Sequence, residues 1–143
     1  MATSEVIYLG NLRTKAKHLQ SGTEIITDAP IDNHGKGEFF SPTDLAATSF
    51  ASCILTIMGI GSEHFGYNIN GTKVEVTKIM GTSPRRIAEI IAIFTFPDVH
   101  YTNKQKEALK RIVETCPVNL SLHPEIKKSI TFIFNDETIQ LNA

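Results

Sequence analysis

From Leu45 to Ser62 the chain carries no charged residue: "LAATSFASCILTIMGIGS". That one stretch limits the fold more than any other. Its length approaches the roughly 20 residues of a membrane span. Yet it holds Thr48, Ser49, Ser52, Thr56, two glycines and several alanines, so its apolar character is modest. It reads as a fully buried helix of a soluble protein. "SP" at 41–42 opens it: Ser41 suits the N-cap and Pro42 the first helical position, where a missing N–H costs nothing. Asp44, at the third helical position, can reach back to the cap and favours the positive helix end. The helix is expected to run to about Ser62. Small and apolar residues cover all its sides, so it must be wrapped all round. One subunit of 143 residues with one sheet can hardly do that, which points to a second subunit.

The segments around it alternate. In "LRTKAKHL", Leu12, Thr14 and Ala16 face one side and Arg13, Lys15 and Lys17 the other, the pattern of a half-buried strand. After the turn "SG", "TEIITDAP" is a second strand ended by Pro30, and the two form an antiparallel hairpin. "IDNHGKGEFF" is a loop. "TKVEVTKIM" and "RRIAEIIAIFTF" form another hairpin around "GTSP", and the apolar run "IIAIF" predicts a central place in the sheet. "TNKQKEALKRIVETC" is an amphipathic helix with Leu109, Ile112 and Val113 inside and the lysines outside, capped by Thr102 or Asn103. "SITFIFN" is a last strand. The expected order is β-β-α-β-β-α-β, an α+β chain in a single domain over residues 1–143.

Composition excludes several functions. Hydrophobic residues make up 41% and charged residues 20%, and the formal net charge is -1. No basic excess calls for nucleic acid or an anionic membrane. The opening "MATSEVIYLGNL" has no basic leader before a long apolar run, so no signal peptide is expected and the cytoplasm is the default compartment. The two cysteines are too few for a disulfide scaffold or a four-thiolate zinc site. His18, His34, His64, His100 and His123 show no metal-ligand spacing, and no nucleotide-binding glycine motif is present, so no cofactor or metal is expected.

The cysteines carry the chemistry, if any. Cys53 lies mid-helix, beyond the reach of the helix dipole, and burial alone would leave it inert. A cation or donor must come to it from another element; Arg13, Arg85 and Arg86 are the candidates, although each also reads as a surface cation. Cys116 precedes Pro117, which looks like the first residue of a short helix "PVNLSL". An N-cap thiol has free backbone N–H groups near it, a local reason for reactivity. From the residues alone, the thiols are either packing or a redox pair.

Two segments resemble a known family. "FSPTDLAATSFASCILTIMGI" is similar to the OsmC/Ohr-family segment in which a Ser/Asn-Pro opens a long central helix bearing the first cysteine. "TCPVNLSL" resembles that family's second cysteine segment, and the 63 residues from Cys53 to Cys116 fit its layout. "GTSPRRIAEIIAIFTFP" resembles its intervening hairpin, nearest the YhfA-like branch. The resemblance implies an OsmC-like intertwined homodimer whose two central helices are wrapped by antiparallel sheets of both subunits. It implies a thiol-dependent, peroxiredoxin-like peroxidase acting in oxidative stress defence. Cys53 would attack an organic hydroperoxide, Cys116 would resolve it to a disulfide, and a dithiol reductant would restore both. Phe39, Phe40 and Phe50 are candidates to hold the alkyl tail, Phe50 equally a core residue. In the hydroperoxide-reductase branch, a glutamate just after the helix-opening proline pairs with the arginine that steadies the thiolate. Here that position is Thr43, and Asp44 follows about 100° further round the helix. Arg13 is the natural candidate for the arginine. The alternative is the same fold with little or no peroxidase activity, binding a small apolar ligand at the dimer interface.

Overall fold

A computed structural model describes residues 1–142. The chain divides into two compact units, Met1–Ala46 and Ala47–Ala143. The mixed α+β class expected from the sequence holds. The order is richer than expected, with three strands before the long helix and two after the crossover helix.

The first unit is a three-stranded antiparallel sheet of β1 (Ser4–Gly10), β2 (Arg13–His18) and β3 (Glu24–Asp28). The β2–β3 hairpin matches the sequence expectation. β1 does not appear in it, for a physical reason. Val6, Ile7, Tyr8 and Leu9 are consecutive and all at least half exposed in the chain alone, so no in–out alternation marks the strand. After β3 the chain makes a single 3-10 turn, Ile31–Asn33, and folds the glycine-rich loop back onto itself. The Gly35 N–H donates to Pro30 O at 2.9 Å and the Gly37 N–H to Ala29 O at 3.2 Å. A Cβ on Gly35 would sit 1.7 Å from the Ala29 carbonyl oxygen, so only glycine fits there.

The helix α1 (Pro42–Phe65) opens as expected. The Asp44 N–H donates to Ser41 Oγ at 3.0 Å, and the Ser41 N–H donates to Asp44 Oδ2 at 2.9 Å, a reciprocal cap. The helix runs one turn past the expected Ser62. By length and composition it is apolar enough to cross a membrane, with a mean hydropathy of 1.6 over its most apolar window. The expectation of burial on all sides is corrected for the chain by itself. Ala47, Phe50, Ala51, Ile54 and Met58 are buried along one stripe, while Ile60 is 71% exposed.

In the second unit that stripe joins the core of a four-stranded sheet, ordered β4 (Lys73–Gly81), β5 (Arg86–Thr95), β6 (Lys127–Ile133) and β7 (Thr138–Asn142). β5 is central, as its apolar run predicted. Its Ile90, Ala92 and Phe94 point into the core and register with Lys128, Ile130 and Phe132 of the parallel strand β6. The β5–β6 crossover carries α2 (Asn103–Thr115) and the short α3 (Pro117–Ser121). Thr102 is the cap of α2, in a reciprocal box with Gln105. Leu109, Ile112 and Val113 face inward as expected.

One lysine of α2 does not point outward. Lys106 is 4% exposed, with Nζ 2.7 Å from Glu137 Oε1 and 2.9 Å from Asp136 Oδ1, and it lies 4.9 Å from the Phe134 ring centroid. The first turn of α2 is thereby tied to the β6–β7 turn. Two tyrosines tie down loops: Tyr67 donates to Met58 O and Tyr101 to Asn68 O, each at 2.6 Å. The Tyr67 hydroxyl comes so close to α1 that a Cβ on Gly61 would stand 2.7 Å from it.

Two outcomes follow for stability. Alanine normally stabilises a helix by about 1 kcal/mol over glycine. Gly61→Ala is expected to lower the thermal midpoint instead, because the buried Tyr67 ring has to shift. Lys106→Met keeps the apolar stem and removes the ion pairs, and is expected to lower the midpoint at neutral pH by roughly 2–6 °C. Lys106 holds the Asp136 carboxyl below its ordinary value of 3.8. A lowered carboxyl contributes stability above its ordinary value and loses it as pH falls through the lowered one. Thermal melts across the acid range should therefore show the Lys106→Met deficit shrinking below about pH 4.

Candidate active site

The second unit brings Cys53 and Cys116 together. Cys53 sits midway along α1, one residue before the fully buried Ile54, at the margin of the buried stripe, and is half-buried. Cys116 occupies the single residue between α2 and α3 and is fully buried in the core. The two thiols are neighbours in the core, and both are free. The crossover explains the meeting. Leu109, Ile112 and Val113 of α2 pack into the core that the α1 stripe joins, and Cys116 follows directly at the end of that helix.

The environments of the two thiols are unequal. Burial pushes the Cys116 thiol above its ordinary value of 9.0, and the neighbouring Cys53 pushes it further. The backbone amides of Asn119 and Val118 pull the other way, as an N-cap position predicts, but do not prevail. No capping hydrogen bond forms through the Cys116 side chain. The local reason for Cys116 reactivity read from the sequence is thus outweighed by tertiary burial. Cys53 is the half-buried thiol, and Cys116 the sealed one, pushed toward its neutral form.

Asn119 was not legible as part of this site. Its Nδ2 donates to Val113 O at 2.9 Å, satisfying an orphan carbonyl in the last turn of α2 and holding α3 against it. Its Oδ1 is buried without a hydrogen-bond partner among the described residues. A spacing of six residues across a helix–helix junction gives no sequence signal of such a tie.

The other site candidates fall in different places. Arg13 belongs to the first unit, where Nη2 stands 2.8 Å from Glu38 Oε2 and 3.4 Å from Asp28 Oδ2, with the guanidinium carbon 5.1 Å over the Phe39 ring. Glu38 and Asp28 raise the Arg13 pKa further. Burial alone would raise the Asp28 carboxyl, but the Glu38 amide, the Arg13 guanidinium and the Ala29 amide together bring it below the usual range. Thr43, where the family resemblance calls for a glutamate, shares a 3.2 Å hydroxyl contact with Ser41, and Asp44 serves the helix cap. Arg86 donates through Nη1 to Thr82 O and Pro84 O at 3.0 Å each, within its own turn, and Arg85 is an exposed neighbour there. Phe39 and Phe40 are about half exposed, at 45% and 56%. Phe50 is fully buried and packs the core. A cavity of about 250 Å³ beside the charged face of α2 (Glu107, Lys110, Arg111, Glu114) includes neither cysteine among its lining residues. No cluster of three or more metal-ligating side chains occurs among the described residues.

The unequal thiols give an expected labelling pattern. At neutral pH, iodoacetamide should modify Cys53 in the native protein and spare Cys116. Cys116 should label only in denaturant or well above pH 9, as read by peptide mass spectrometry. Equal labelling of both at neutral pH would contradict the burial of Cys116.

Comparisons with known proteins agree with this architecture. The family model described as OsmC-like protein matches residues 35–131. A crystal structure from Psychrobacter arcticus 273-4, provisionally described as an osmotic stress induced and detoxification response protein, is 50% identical. The match covers 93% of this chain and 96% of that one, with a TM-score of 0.88. An OsmC-like protein from Mycoplasma pneumoniae is 16% identical over 92% and 94% of the two chains, with a TM-score of 0.76. An organic hydroperoxide resistance protein from Legionella pneumophila is 12% identical over 92% and 97%, with a TM-score of 0.70. These last two share the fold alone. No curated protein matches the chain in sequence. By the family model and by the 50% identity over nearly its whole length, the chain belongs to the OsmC-like protein family.

Proposed function

We propose that this chain is a thiol-dependent peroxidase that reduces organic hydroperoxides. The observation that carries the reading is the meeting of an accessible Cys53 with a buried Cys116 in one unit. The Cys53 thiolate attacks the outer peroxide oxygen; the S–O bond forms, the O–O bond breaks, and the alkoxide leaves as an alcohol after taking a proton. Cys53 is now a sulfenic acid. The Cys116 sulfur attacks it, gives up its proton, and water leaves as the disulfide forms. A dithiol donor reduces the disulfide by thiol–disulfide exchange and is itself oxidised. None of these steps calls for a metal, haem or flavin.

The protonated state of Cys116 suits a resolving thiol. It is not a competing nucleophile for the peroxide, and it stands next to the sulfur it must attack, where proximity replaces intrinsic reactivity. Arg13 is assigned to steady the Cys53 thiolate. That assignment rests on the family resemblance and on the way Arg13 is held within its own sheet. Phe39 and Phe40, exposed and apolar, are assigned to the substrate's alkyl portion. The names of the Legionella protein and of similar hydroperoxide resistance proteins from Vibrio cholerae and Elizabethkingia anophelis support the substrate class. The reading takes residues 1–143 as one OsmC-like domain of a cytoplasmic homodimer. The exposed side of α1 and the exposed Val6, Ile7, Tyr8 and Leu9 of β1 support the dimer.

A second reading is favoured by Thr43. With a neutral hydroxyl where the family resemblance calls for a carboxylate, the chain would be a binder of a small apolar ligand with little turnover.

Intact-mass spectrometry after one equivalent of cumene hydroperoxide separates the two. The peroxidase loses about two mass units, with Cys53 and Cys116 linked in the peptide map. Cys53→Ser should abolish peroxide consumption. Cys116→Ser should complete one turnover and then accumulate sulfinic acid at Cys53. An unchanged mass in the unsubstituted protein, or full activity in Cys53→Ser, would overturn the reading in favour of ligand binding.

A further inference from the structure

Pro117 leaves a gap in the hydrogen bonding of α2 that one side chain fills. In a continuing helix the Val113 carbonyl would accept from the N–H four residues on. Here that residue is Pro117, which has no N–H to give. Val113 is buried, so its carbonyl needs a partner from the protein. Asn119 supplies the donor from beyond the break, its Nδ2 standing 2.9 Å from Val113 O. The amide nitrogen must be the end that faces the carbonyl, because a carbonyl oxygen only accepts. The stretch from Val113 to Asn119 thus closes on itself across a bend. Cys116 is its middle residue and makes the bend, with a non-helical ψ of 123°.

The segment after the bend has weak anchors of its own. α3 has five residues, too few to persist as an isolated helix. None of them is buried, Val118 packs on the core only in part, and Leu120 is 72% exposed. The backbone N–H groups of Val118 and Asn119 act on the Cys116 thiol, so the direction of α3 bears on that sulfur. Asn119 also keeps Oδ1 buried without a hydrogen-bond partner among the described residues, a cost that stability alone gives no reason to carry. What the tie does secure is the place of one thiol.

We infer that Asn119 is a positioning residue for the resolving step: by bonding Val113 O across the Pro117 break, it holds Cys116 beside Cys53 so that the disulfide forms before a second peroxide arrives. This rests on the proposed function, in which Cys53 is oxidised first. Two reactions compete for the Cys53 sulfenic acid. In one, the Cys116 sulfur attacks it; an S–S bond forms, the S–O bond breaks, and water leaves with the Cys116 proton. In the other, the sulfenic sulfur attacks a second hydroperoxide; a second S–O bond forms and the O–O bond breaks. The sulfur is then oxidised to sulfinic acid and the peroxide reduced to an alcohol. The first reaction is intramolecular and depends on where Cys116 is held, while the second depends on peroxide concentration. Asn119 acts through the bend, so the initial attack of Cys53 on peroxide does not need it.

The test uses the full chain, unsubstituted and as Asn119→Ala and Asn119→Gln, with Cys116→Ser as the limit in which resolution is absent. Each is turned over with dithiothreitol and rising concentrations of cumene hydroperoxide. Sulfinic acid at Cys53 is read by intact mass as two added oxygens and located by peptide map. The initial attack is read separately, as loss of the Cys53 thiol in a single turnover, and thermal midpoints are measured alongside. Asn119→Ala should reach half overoxidation at about 10- to 100-fold less peroxide, with the initial attack unchanged. Asn119→Gln keeps the amide on a longer stem and should shift the same way by less. A purely structural role would lower the thermal midpoint and leave the overoxidising concentration in place. That result, or equal slowing of both steps, overturns the inference while the peroxidase reading stands. If the unsubstituted protein forms no Cys53–Cys116 disulfide, the peroxidase reading fails and the inference with it. If Asn119→Ala does not fold, Asn119→Gln decides alone, and overoxidation at the unsubstituted protein's concentration sinks the inference.

Discussion

Everything in the second unit depends on the stripe Phe50, Ile54 and Met58 packing on the core face of the central strands. All three residues are fully buried, among Ile90, Phe94, Ile130 and Phe132 and against Leu109 and Val113 of the crossover helix. Each such side chain contributes about 1.5–3 kcal/mol on burial. The stripe fixes the rotation of α1 about its axis, and that rotation sets the exposure of Cys53. A thiol in the middle of the stripe would be sealed, and one on the opposite side would not meet Cys116.

Both ends of α2 are fastened by polar ties. At the first turn Lys106 bonds to Asp136 and Glu137, and after the last turn Asn119 donates to Val113 O. Between these ties the apolar residues Leu109, Ile112 and Val113 fill the core. The result is a rigid arm that ends in Cys116. A resolving cysteine needs a fixed approach to its partner sulfur, and this one is carried on a junction held from both sides.

The two units show the same electrostatic rule. A buried ionisable group persists where partners balance it. Asp28 has Arg13 and two backbone amides, and Lys106 has two carboxylates at the rim. Cys116 has no cation among the causes of its shift, and its thiol is accordingly pushed toward the neutral form. The same burial that makes Cys116 a poor first nucleophile leaves it waiting beside Cys53.

Local chemistry in the sequence determined the local structure. Ser41, Pro42 and Asp44 define the start of α1, because a cap is made by residues within one turn of each other. Thr102 and Gln105 do the same for α2. The alternation of "RTKAKH" and the apolar run "IIAIF" mark strands, because a period of two and a buried run are visible without any partner. The family resemblance picked out Cys53 and Cys116. Features lacking a local pattern were missed. β1 has consecutive apolar residues with no alternation; β7 does alternate, but over only two apolar residues, Ile139 and Leu141. Lys106 reads as a solvent-facing lysine because its carboxylates lie about thirty residues away on another element. The capture of Arg13 by Asp28 and Glu38 depends on strand register and loop return. Only the tertiary structure decided which thiol is half-buried and which is sealed and pushed toward its neutral form, since burial comes from what packs around a residue and not from the residues beside it in the chain.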